Sequence, residues 1–300
     1  MELQQLRYVL AVAEERNFTR AAQKTHVVQS ALSHQIKALE RELGVQLFAR
    51  TSRRVELTEA GHAFVAGARA TLDAADRTVT EAVAATGQMR GSLTVGAIPT
   101  VTRLDLTAVL GRFHRTYPQV SIGMSVGGSL DFIERIRTGT LDAAVLGLPE
   151  DVEPKGVANT VIAQERLVAV LGPGHRFAGR RRLRLADLAD DAFVDFPADS
   201  PGRAQSDRAF AEAGLTRSVA FESMLVGMML DLVGQGLCIA LLAPAVVPDG
   251  RELVTVPVTD GPKRVEYLAW SEFNPSPAAT AFVEEALESI DRDSRVTAID

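Results

Sequence analysis

The chain has 300 residues, 46% of them hydrophobic and 23% charged, with a formal net charge of −6 and one cysteine. That length suits about two domains with real cores, and the lone Cys238 excludes an intrachain disulfide or a cysteine-rich metal site. The opening MELQQLRYVLAVAEE lacks a basic region followed by an unbroken apolar run, and Met224 to Val247 is interrupted by Asp231 and Gln235. Neither a signal peptide nor a spanning helix is expected, so the protein reads as cytoplasmic with no membrane partner.

Leu3, Leu6, Leu10 and Ala13 mark a first helix, and Phe18 to Ala22 opens a short second one with Thr19 as its N-cap. The stretch VVQSALSHQIKALERELG, residues 27–44, predicts a third. Val28, Leu32, Ile36, Leu39 and Leu43 recur at intervals of three and four and form its inner stripe. Gln29, Ser30, Ser33, His34 and Lys37 fall on the other side, where a solvated helix would carry more Glu and Lys. Two small helices joined by the brief Thr25 to Val28 connection form a helix-turn-helix, whose second helix enters the major groove of DNA. Gly44 stops that helix, and VQLFARTSRRVELT predicts a two-stranded wing with Arg50, Arg53 and Arg54 at or near its tip, suited to phosphates or a minor groove. Charge agrees: between Arg16 and Arg54 eight basic residues stand against only Glu40 and Glu42, in a chain otherwise strongly acidic.

From Thr58 to about Met89 a single long helix is expected, N-capped by Thr58, with Phe64, Leu72, Val79 and Val83 along one seam and Gly87 and Gly91 closing it as a hinge. Such a seam cannot be buried alone, so a second copy of the chain is the economical partner; a dimer also supplies two recognition helices for two half-sites. Beyond Leu93 the pattern changes to short apolar, β-branched runs (LTVGAI, VSIGMSV, LDAAVLG, RLVAVL, DAFVDF, SVAFE, LCIALL, VEYLAW) separated by helical segments. That alternation predicts an α/β class with a mostly parallel sheet in two subdomains, and ligands of such sheets bind beyond the carboxyl ends of strands.

The stretch AAQKTHVVQSALSHQIKALERELGVQLFARTSRRVELTEAG resembles the DNA-binding segment of LysR-type transcriptional regulators. Ala21-Ala22, Gln29, Ala31, Ser33, Gln35-Ile36, Leu39-Glu40, Leu43-Gly44, Leu47-Phe48, Arg50, Arg53 or Arg54, Leu57-Thr58 and Ala60-Gly61 match that family's pattern in order and spacing. Val28 and Ser30 depart from it, the family often having Ser or Thr at the first and Pro at the second. The resemblance implies an N-terminal winged helix-turn-helix over 1–58, a linker and dimerisation helix with hinge over 59–91, and an effector-binding unit over 92–300. The last is similar to a periplasmic solute-binding protein, with two Rossmann-like subdomains (92–161 with 267–300, and 162–266) and chain crossings near Ile162 and Tyr267. Also implied are a homodimer, a dimer of dimers, an interrupted inverted repeat in double-stranded DNA, a small-molecule effector, and RNA polymerase as a further partner.

By resemblance and by position, Gln29 and Ser33 are expected at bases, a Gln amide being able to pair with adenine. Ser30 lies on the same face; His34 and Lys37 reach a base or phosphate, or His34 is a plain surface histidine. In the effector unit, Thr100 and Thr102 follow the first strand, Ser129 follows a Gly-Gly turn, and Ser200 with Arg203 opens another helix. These hydroxyls and helix starts suit a small anion, although each reads equally as a helix cap. No catalytic, metal or cofactor motif competes: the five histidines lack HExxH spacing, and there is no GxSxG, P-loop or GxGxxG. An enzyme is thus a poor second reading. A carrier module whose basic segment only dimerises leaves the wing arginines unexplained.

Overall fold

The structure, a computed structural model, describes residues 1–50, 55–84, 89–273 and 275–297, and the chain divides into two units, Met1–Gly87 and Gln88–Asp300.

In the first unit α1 (Leu3–Glu15), α2 (Phe18–Lys24) and α3 (Gln29–Leu43) precede the paired strands β1 (Phe48–Arg50) and β2 (Val55–Leu57) and the long α4 (Glu59–Ala84). Val9, Val12, Ala21, Leu32, Ile36, Leu39 and Leu47 form the core, as the helical spacing requires. The N-cap of α2 is Asn17, not Thr19: its side chain accepts from the Thr19 and Arg20 amides at 2.8 and 3.0 Å, two residues earlier than expected. Thr58 does cap α4, accepting from the Gly61 amide at 2.9 Å while its hydroxyl donates to the Gln46 carbonyl. Gly61 is required by close approach, because a Cβ there would stand 2.1 Å from the Leu47 carbonyl oxygen.

The first part of the α4 seam is covered by its own chain. Ala68 and Leu72 are buried with Leu6 of α1, and Phe64 packs beside them. The expectation that the whole seam needs a second copy is therefore corrected: α1 is amphipathic enough to present apolar residues to α3 and to α4 at once. The side chains of Val79 and Val83 lie outside the described residues, as does Gly87.

The second unit opens with β3 (Gly91–Ala97), α5 (Leu106–Thr116), β4 (Val120–Val126), α6 (Ser129–Arg137), β5 (Ala143–Pro149) and β6 (Ala158–Arg166). There follow β7 (Val168–Leu171), the short α7 (Leu185–Leu188), β8 (Ala192–Asp195), α8 (Pro201–Glu212), β9 (Ser218–Glu222), α9 (Val226–Gly234) and β10 (Ala240–Leu242). A 3-10 turn at Pro244–Val246, β11 (Val254–Pro257), β12 (Lys263–Trp270) and α10 (Pro277–Thr297) complete it. One half is a five-stranded sheet in the order β4-β3-β5-β12-β6. The other joins β10-β7-β11 to β8-β9 through the Ile239 backbone, which donates to the Ala192 carbonyl and accepts from the Val194 amide. α10 returns to the first half, its Phe282, Val283 and Ala286 packing with Leu93, Val109 and Phe113.

The sheets are mixed rather than mostly parallel. β12 runs antiparallel to both β5 and β6, and β7 is antiparallel to β10 and β11. The reason lies in the crossings: the chain leaves the first half at the end of β6 and returns as β12, and strands that carry it out and back run in opposite senses. The passage falls after Arg166 and before Lys263, a few residues inside the expected Ile162 and Tyr267, which are both interior to strands. β6 and β11 escaped the pattern reading, β6 because Asn159, Thr160, Gln164 and Glu165 make a polar edge strand. Among the described residues no helix is long and apolar enough to cross a membrane.

Candidate nucleic-acid interface and ligand cleft

On α3, Leu32, Ile36 and Leu39 are fully buried, while Gln29, Ser30, His34 and Lys37 are exposed and Ser33 is half-buried. The polar set forms one continuous outward face. Val28 and Leu43, assigned to the inner stripe, are instead 67% and 38% exposed. Val28 sits before the first helical turn in extended backbone (φ −75°, ψ 141°), so the helical period does not govern where it points. It also offers no side-chain cap, which leaves the first amides of α3 without one. Arg50 ends β1, and Arg53 and Arg54 lie outside the described residues. Part of the basic surplus is locally matched: Lys24 pairs with Glu14 at 2.8 Å, and Arg20 lies 3.4 Å from Glu15, acids just ahead of the basic segment.

Residues that the pattern reading passed over hold this face in place. The Glu40 carboxylate accepts from the Leu47 and Phe48 amides at 2.9 and 3.2 Å, tying the wing to α3. The Gln5 amide donates to Gln35 at 3.2 Å, tying α1 to α3. Asn17 could have been found, since Asn immediately before the first apolar residue of a helix, here Phe18, is a cap signal. Glu40 has no such signature, its partners being backbone amides seven and eight residues away.

In the second unit a cleft separates the two halves. From one half come Ile98, Pro99 and Thr100 after β3, Gly128 and Ser129 at the start of α6, Gly147 of β5 and Arg264 of β12; from the other come Phe196, Ser200, Gly202, Gln205 and Met224. Thr100, Ser129 and Ser200 are thus brought together. The Ser129 hydroxyl, however, donates to the Gly147 carbonyl and accepts from the Gly147 amide, both at 3.0 Å. That of Ser200 donates to the Pro197 carbonyl and accepts from the Arg203 amide. Both hydroxyls are occupied within the protein.

Thr102 and Arg203 do not line the cleft. The Thr102 hydroxyl donates to Glu266 at 2.9 Å, with Glu165 3.1 Å away. The Arg203 guanidinium is taken by Asp207 one turn along α8 and by Glu222 at the end of β9. The cation at the cleft is Arg264, only 4% exposed. It donates to the Thr100 hydroxyl at 2.6 Å, to the Thr100 carbonyl at 2.9 Å, to Glu165 at 2.6 Å and to Glu266 at 2.5 Å, while its Nε is buried without a partner. Burial pushes the Glu266 carboxyl above the usual carboxylate range, against the opposing pull of Arg264. The signal for this pair was Arg and Glu two apart in a strand, on one face by its period of two. Cys238 is buried, and desolvation raises its thiol to about 11.

A helix-turn-helix with wing, a long helix, and an α/β unit holding a cleft between two halves define a DNA-binding regulator that carries its own ligand sensor. Residues 3–62 match the family model for the bacterial regulatory helix-turn-helix protein, lysR family, and residues 86–291 match the LysR substrate binding domain. The chain belongs to the LysR family of transcriptional regulators and is not an enzyme. It is 33% identical to the HTH-type transcriptional regulator BudR of Raoultella terrigena over 95% of this chain and 99% of that one. It is 32% identical to a hydrogen peroxide-inducible genes activator of Pectobacterium carotovorum subsp. carotovorum, over 84% and 83%. Among solved structures it is similar to full-length CbnR in complex with its target DNA, with a TM-score of 0.66 and 27% identity over 96% and 100% of the chains.

Proposed function

We propose that this regulator binds an interrupted inverted repeat in duplex DNA as a dimer or dimer of dimers, and that a small anionic metabolite in the cleft changes its grip. The outward polar face of α3 above its buried stripe carries the first part. Residues 1–58 form the DNA-binding domain, 59–91 the linker and 92–300 the effector unit. Gln29 and Ser33 read bases, Ser30, His34 and Lys37 support them, and Arg50, Arg53 and Arg54 hold phosphates or the minor groove. The protein works in the cytoplasm and acts on RNA polymerase at the promoter.

Self-association has support in both halves of the second unit: Met124, Val126 and Leu130 on β4 and α6, and Leu225 and Met228 at α9, are large apolar side chains more than half exposed. Patches of this kind on equivalent elements suit an isologous pairing of two copies. The acidic end of the effector belongs at the start of α6, where the N-cap Gly128 provides no side-chain bond and Arg264 lies behind Gly147. Thr100, Ser129 and Ser200 shape the site; Thr102 and Arg203 brace its loops. Closure must bind the effector better than the open state if it is to alter the DNA complex. A metabolite rather than peroxide is the signal, since Cys238 is a buried, protonated thiol with no second cysteine in the chain.

A salt-dependent gel shift with the DNA upstream of the protein's own gene tests the reading: sequence-specific retention that weakens steeply with salt is expected. Light scattering checks assembly, and a stable monomer at micromolar concentration would sink the dimer.

A further inference from the structure

The cleft contains one polar side chain that nothing in the protein satisfies. Gln205 of α8 is 7% exposed, lines the cleft opposite Ser129 and Gly147, and makes no hydrogen bond among the described residues. Every other polar side chain there has a partner: Ser129 bonds Gly147, Ser200 bonds Pro197 and Arg203, and Thr100 accepts from Arg264. Its amide faces the cleft solvent, so a ligand that displaces that water must bond the amide or leave it unpaired. Gln205 also borders a wider groove lined by Glu150, Asp151, Arg166, Arg208 and Lys263, so it marks the far end of the cleft.

We infer that Gln205 is a specificity residue which bonds an uncharged hydroxyl or carbonyl group of the effector. The effector class is then a small hydroxy- or oxo-carboxylate, its acid at the start of α6 and its second polar group at α8. The inference rests on the cleft reading above. The cations near Gln205 are already engaged: Arg264 faces Glu165 and Glu266, Arg208 pairs with Asp151, Lys263 pairs with Glu150, and Arg166 donates to the Gly261 carbonyl. A second carboxylate at that end would thus go uncompensated, whereas an amide both donates to and accepts from a neutral group. Ile98, Pro99, Phe196 and Met224 make the wall between the two ends apolar, which suits a carbon skeleton. An analogue lacking the second group leaves the amide unpaired and is rejected.

The test uses the full chain and pairs of carboxylates that differ in one hydroxyl: butanoate with 3-hydroxybutanoate, succinate with malate, benzoate with 4-hydroxybenzoate, each titrated by calorimetry. The hydroxylated member of at least one pair should bind about tenfold more tightly. Gln205→Leu should reduce that preference to less than about threefold while leaving the affinity for the plain acid nearly unchanged. Gln205→Glu, isosteric and so protective of packing, should weaken both members. Carboxylates that bind with no hydroxyl preference, or a preference that survives Gln205→Leu, overturn the role of Gln205 and leave the cleft reading standing. Failure of every probe to bind overturns the class and the cleft reading together.

Discussion

The recognition helix and the ligand cleft place their polar residues by different rules. On α3 the functional face is simply what remains after Leu32, Ile36 and Leu39 turn inward, and Gln29, Ser30, His34 and Lys37 stay exposed. In the cleft, polar groups from distant parts of the chain choose among one another: Thr100 and Thr102 meet Arg264 and Glu266, 164 residues away. One surface is written by periodicity; the other is settled by competition between partners. A residue such as Arg203 can therefore look like a ligand contact and be occupied by Asp207 and Glu222.

The sharpest break of that contrast is Arg264→Leu. It strands the fully buried Glu266 without its cation and should cost about 3–5 kcal/mol of stability, measured by denaturant unfolding. A loss below about 1 kcal/mol would mean that the network is peripheral. In the first unit, Gly61→Ala should cost about 1–3 kcal/mol, because the Leu47 carbonyl must give way to a Cβ placed 2.1 Å from it. Unchanged thermal stability would show that β1 and α4 shift apart freely.

Gln29→Ala and Ser33→Ala should each remove about 1–3 kcal/mol of discrimination at particular base pairs. Substituting Arg53 and Arg54 should instead weaken all sequences alike and flatten the salt dependence. Competition binding against single-base variants separates the two, and identical behaviour of both sets would erase the distinction between base and phosphate residues. Smaller still, Val28→Ser supplies the missing N-cap of α3 and should stabilise the first unit by about 1 kcal/mol. Cys238→Ser should have the least functional consequence, leaving DNA binding and induction as they were; a peroxide response in the parent that vanishes in this variant contradicts the metabolite reading.

How far the sequence alone reached follows from the range of the interactions involved. The three helices, the wing, the Thr58 cap and the outward set on α3 were all legible, since each depends on residues within about one or two helical turns. The outward turn of Val28 marks where that local grammar stops: at a helix boundary the period no longer dictates direction. Only tertiary structure decided that α1 covers Phe64, Ala68 and Leu72, that β12 runs back antiparallel between β5 and β6, and that Arg264 rather than Arg203 stands at the cleft. These outcomes turn on which of several equally capable partners lies nearest once the chain has crossed between halves twice. A free amide at Gln205 is visible only after the other polar side chains lining the cleft have found their partners. Periodicity records which side of an element faces inward, and the folded pairing alone records which inward groups remain for a ligand.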